Sequence, residues 1–176
     1  MGYTFGVIVF KRELEQEEKT LLSMFVPKQS VKTKMRLSED QVFDSTFVDI
    51  AVGHIKNYTL LVNPDIPYEF TRDFDFIPVS AVHKLLENLS EKMDILCVHI
   101  QSTSGVIGHA LFSKGKRCEA VYKSEDEWET IFDCQTDKII REKYNTDYLF
   151  KRLNQFVEDD FYHWMTNESL MFVTYK

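Results

Sequence analysis

The sequence predicts an α+β fold: a single domain over residues 1–176, with a mostly antiparallel sheet, a central β-meander and three to four helices on at least one face. Three observations lead there. Residues 95–122 hold three apolar runs separated by two short polar turns, each with a glycine, Gly105 and Gly115. Apolar residues recur at helical spacing in three other stretches, around Leu21, Leu85 and Leu153. The 176 residues contain no repeat, low-complexity segment or linker, and that length suffices to bury a sizeable core.

Residues 3–10 are rich in β-branched and aromatic types and read as a first strand. Leu14, Leu21, Leu22 and Phe25 then share a helical face, with Glu13, Glu15, Gln16, Glu17 and Glu18 on the others. That helix stops before Pro27, because a residue preceding proline avoids the α region. Residues 31–37 alternate apolar and polar, as an exposed or edge strand does. Lys28, Lys32, Lys34 and Arg36 make this the densest basic stretch. Lysines on an edge discourage stray strand pairing, and the same charges can hold an anion or a partner. Residues 47–52 and 58–62 are two further strands, and residues 53–57 suit the hairpin turn between them. Residues 63–78 form a loop with Pro64, Pro67 and Pro78, packed onto the body by Tyr68, Phe70, Phe74 and Phe76.

Val79, Val82, Leu85, Leu86, Leu89 and Met93 mark the next helix, with Ser80 placed to cap it. Residues 95–100 are mostly apolar at both parities, which predicts a central strand covered on both faces. Residues 106–112 and 117–122 complete the meander. Residues 124–137 read as an acidic connector, and Ile139, Ile140 and Tyr144 as a short helix. Leu149, Leu153, Phe156, Val157, Phe161 and Trp164 form the clearest helical stripe, capped by Asn145 or Thr146. Residues 170–175 can add a last strand.

The chain carries 21 basic and 28 acidic residues, a net charge of -7. That balance argues against nucleic-acid binding, which needs clustered Lys and Arg to neutralise phosphates. Aromatic residues make up 14%, too many for a disordered chain. The first strand lacks a basic leader and meets Lys11-Arg12-Glu13 early, so no signal peptide is expected, and no apolar run reaches membrane-spanning length. Cys97, Cys118 and Cys134 are odd in number and form no CxxC pair, which predicts free thiols in a soluble cytoplasmic protein.

The chemistry-bearing residues are scattered. Metal binding needs convergent ligands, typically His pairs at i, i+2 on a strand or i, i+4 on a helix, and His54, His83, His99, His109 and His163 make none. Pairing Gln101 with Val106 sets His99 opposite Gly108 and His109 opposite Val98, so these two histidines face opposite sides of the sheet. Cys97 and His99 share a face, but a mid-strand position hides the thiol, and a buried inert cysteine is expected. Backbone N–H groups in the Ser102-Thr103-Ser104-Gly105 turn can form an anion nest, although the turn matches neither G-x-S-x-G nor a P-loop. Asp73, Asp75, Glu125, Asp126 and Glu127 lie in loops without metal-binding spacing. Phe150, Tyr162, His163 and Met165 flank the last helical stripe and either pack on the 63–78 loop or form a partner surface. The candidate binding set is His99, Ser102, Ser104, His109 and His54, with Asp49 a further carboxylate to watch. No catalytic set, metal or cofactor is expected.

Residues 99–117 combine a central strand, a short Ser-containing turn, the run Gly108-His109-Ala110-Leu111-Phe112 and the charged turn at Gly115. With an apolar strand at residues 3–10 and a leucine-bearing helix at residues 149–161, this resembles a family of uncharacterised bacterial proteins. The resemblance implies the same arrangement of strands and helix, and no activity or functional residue.

Two readings follow. The first is a non-catalytic binding or interaction domain of an accessory, immunity or regulatory kind, with a protein partner or as a homodimer. The second is a small-molecule-binding protein or enzyme with a pocket near the 102–105 turn, using His99, His109 or His54. A basic partner would meet the acidic segments at residues 13–18, 124–137 and 158–160.

Overall fold

The first strand, β1 (Thr4–Phe10), lies in the middle of the sheet, and every residue from Phe5 onward is buried. In a computed structural model the described residues are 4–14, 20, 32–38, 41, 50–62, 81–124, 128–132, 144–166 and 170–175. They contain β2 (Lys32–Met35), β3 (Ile50–Ile55), β4 (Tyr58–Val62), α1 (Ala81–Ser90), β5 (Ile95–Gln101), β6 (Val106–Ser113), β7 (Lys116–Lys123), β8 (Trp128–Phe132), α2 (Thr146–Val157), α3 (Phe161–Thr166) and β9 (Phe172–Tyr175). The nine strands form one sheet in the order β2-β9-β3-β4-β1-β5-β6-β7-β8. Every pairing is antiparallel, so the α+β class and the meander β5–β6–β7 hold.

Helices cover both faces. On one, Phe5, Val7, Val9, Leu96, Val98 and Ile100 pack under α2 and α3 through Leu149, Leu153, Val157, Phe161 and Trp164. On the other, Ile8, Phe10, Ile95, Cys97 and Phe112 pack under α1 through Leu86 and Leu89. Side chains alternate between faces along a strand, so a strand buried on both sides must be apolar at both parities. That is why residues 95–100 carry almost no polar residue. Among the described residues, no helix is long and apolar enough to cross a membrane.

Three elements depart from the expectation. Strand β3 runs on through His54 and Ile55, and the hairpin turn is the two residues Lys56-Asn57, with Lys56 at φ 52°. Gly53 serves packing rather than turning: a Cβ there would lie 2.7 Å from Phe172 Cε1 on β9. The acidic connector contains strand β8, which pairs antiparallel with β7 at the end of the described strand order. The last helical stripe is two helices, broken where Glu158 takes the left-handed conformation at φ 56° and its N–H bonds Asn154 O. Asn154 Oδ1 accepts from Phe161 N and Asp160 Oδ1 from His163 N, so polar side chains restart the helix after the corner. Asn145 caps α2 as expected, its Oδ1 accepting from Tyr148 N at 2.9 Å.

The α2–α3 corner is tied to the sheet by charge. Lys11 Nζ bonds Glu158 at 2.8 Å, and Lys56 Nζ bonds Asp159, which also accepts from Trp164 Nε1. Two of the three acids at residues 158–160 are thus ion-paired within the chain, and the third, Asp160, caps α3. The expected helix around Leu21, the 63–78 loop, the short helix at Ile139 and Ile140, and Ser80, Cys134 and Asp49 lie outside the described residues. Gly53→Ala should cost about 1–3 kcal/mol, since Phe172 must move to admit a methyl group. A lowered urea midpoint with unchanged slope would register it.

Candidate functional site

The meander places His109 through its register. Gln101 pairs with Val106, His99 with Gly108 and Val98 with His109, the register the sequence predicts, and the two histidines do lie on opposite faces. At the next turn, Lys114 and Gly115 both have positive φ, 53° and 78°, which a two-residue type I′ hairpin requires. The ladder begins with Ser113–Lys116 and Phe112–Arg117, then skips Cys118 and resumes at Leu111–Glu119. Cys118 is the extra residue of a β-bulge, and its thiol lies 3.4 Å from Leu111 O. In a straight ladder Glu119 would face away from His109. The bulge turns it onto His109's face.

The result is a polar chain inside an apolar layer. His109 is fully buried. Its Nε2 lies 2.6 Å from Glu119 Oε1 and its Nδ1 lies 2.7 Å from Tyr144 Oη. Arg152, from the middle of α2, donates to Glu119 Oε2 at 2.6 Å. The Tyr144 hydroxyl also lies 3.4 Å from Val121 O, and Lys123 Nζ donates to Tyr144 O. Tyr148 packs against Tyr144, ring centroids 5.3 Å apart. Sheet, helix approach and helix are joined through one imidazole.

Burial pushes the Glu119 carboxyl upward, but the bond from His109 and the charges of His109 and Arg152 outweigh it, and the carboxyl sits below its usual range. An ionised carboxylate only accepts, so Nε2 of His109 carries a proton. Neutral His109 then accepts the Tyr144 hydroxyl proton at Nδ1. Doubly protonated His109 donates there instead, and the hydroxyl turns to Val121 O. A general base, however, must present a ring nitrogen to substrate, and both nitrogens here are spent inside the protein.

The other candidate residues do not converge on it. His99 is buried on the α1 face, in a cross-strand row Gly6–His99–Gly108–Tyr122. His54 lies on that same face, its Nδ1 3.1 Å from Thr59 Oγ1, which also accepts from Leu14 N. Its row runs through Thr59 and Phe10 to Ile95, three strands across and four residues along from His99. At strand spacings of about 4.8 Å and rises of about 3.4 Å, the two are roughly 20 Å apart. Ser102 and Ser104 are exposed in the turn, Ser104 Oγ donating to Gln101 O at 3.4 Å. Cys97 is fully buried, and burial pushes its thiol far up, which suits an inert packing role. Of the residues flanking the last stripe, Phe150 stacks on Phe5 and Met165 is buried, while Tyr162 and His163 are exposed. Among the described residues no three His, Cys, Asp or Glu side chains group to hold a metal. A cavity of about 500 Å³ lies elsewhere, lined by Arg36, Leu37, Ser38, Gln41 and Thr166.

Glu119, Tyr144 and Arg152 were not foreseen as partners of His109. A straight two-residue hairpin predicts Glu119 on the wrong face, and a bulge leaves no mark in the residue types around it. The lone carboxylate in an otherwise apolar run, Ala120-Val121-Tyr122, was the available signal.

Tyr144→Phe deprives His109 Nδ1 of its hydroxyl partner and should cost about 1–3 kcal/mol, measured by chemical denaturation. Glu119 titrates lower in the folded than in the unfolded chain. Its stabilisation is therefore complete above the ordinary carboxylate range and is lost as pH falls through the depressed folded value. The stability gap between wild type and Glu119→Gln should narrow over that acid interval, and a gap independent of pH would contradict the assignment.

In comparisons by sequence and by fold, the chain matches no family model, no curated protein and no solved structure, so its own residues carry the functional reading.

Proposed function

We propose that this protein is a non-catalytic interaction domain of an accessory, immunity or regulatory kind, acting by binding a protein partner. One observation supports the reading: among the described residues, the candidate histidines are engaged within the fold or set apart from one another. His109 is locked between Glu119 and Tyr144, His54 is bonded to Thr59, and His99 lies on the opposite face from His109. Binding by surface complementarity needs none of them.

A small-molecule site near the 102–105 turn is the second reading. It draws on the row Gly6–His99–Gly108–Tyr122, where neither strand neighbour of the imidazole carries a side chain and Tyr122 follows on the same face.

Reconstitution separates the two. The full chain is used to capture a partner from its source cells, the partner is purified, and the pair is recombined. A stoichiometric complex on gel filtration is expected, unchanged by His54→Ala, Ser102→Ala and Ser104→Ala. Failure to reconstitute any complex, together with small-molecule binding that His99→Ala abolishes while the fold is retained, would replace the first reading with the second.

A further inference from the structure

We draw no further inference here: the strongest candidate, the cavity of about 500 Å³ at the end of β2 walled by Arg36, Leu37, Ser38, Gln41 and Thr166, has polar side chains already engaged within the chain, Ser38 with Gln41 and Thr166 with Tyr162 O, and nothing among the described residues shows what occupies it.

Discussion

The constraint that shapes this protein is burial of one sheet on both faces. A strand with a free face can place its polar residues there. The middle strands here have no such refuge, since α1 closes one side and α2 with α3 the other. Each polar group between the layers must find its partner where it stands, or it costs as much as a lost hydrogen bond. His109 is the clearest case. Glu119 and Tyr144 are brought to it from the neighbouring strand and from the approach to α2, and Arg152 balances the carboxylate from the helix above. Thr59 plays the same part at the other end of the sheet, serving His54 and the N–H of Leu14 at once.

Much of this fold was legible because period-two and period-3.6 patterns are strong where both faces are buried. Residues 95–100 announced a strand covered twice, and the small turn at Gly105 fixed the register that separates His99 from His109. The failures have common physical causes. Strand β8 was hidden because an edge strand need not be apolar. The helix break at Glu158 was hidden because the apolar stripe continues through it: Phe161 and Trp164 fill the same layer as Leu153 and Val157 from a second helix. The site was half visible. His109 stood out as a histidine in a strand, but its partners depend on a bulge and on a helix crossing, both of which are tertiary choices.

The charge of the chain divides in a similar way. The acids at the α2–α3 corner look like a surface for a basic partner, yet Lys11 and Lys56 claim Glu158 and Asp159. Lys11 Nζ also lies 5.9 Å from the Phe156 ring centroid and Lys56 Nζ 5.1 Å from that of Trp164, so each ammonium meets an aromatic face as well as a carboxylate. Charge that serves a corner in this way is unavailable for recognition.

The bulge at Cys118 has a consequence for how the chain can change in length. Removing one residue from a strand normally inverts every side chain beyond the cut. Cys118 is the residue without a ladder partner, so its loss would let Phe112–Arg117 run directly into Leu111–Glu119, and both flanks would keep their faces. Loss of Ala120 would instead carry Glu119 round to the apolar layer beneath α1 and leave His109 without its carboxylate. Of the eight residues in β7, the bulged cysteine is thus the position where a deletion is absorbed rather than transmitted, a point of evolutionary slack beside the most tightly specified contact in the sheet.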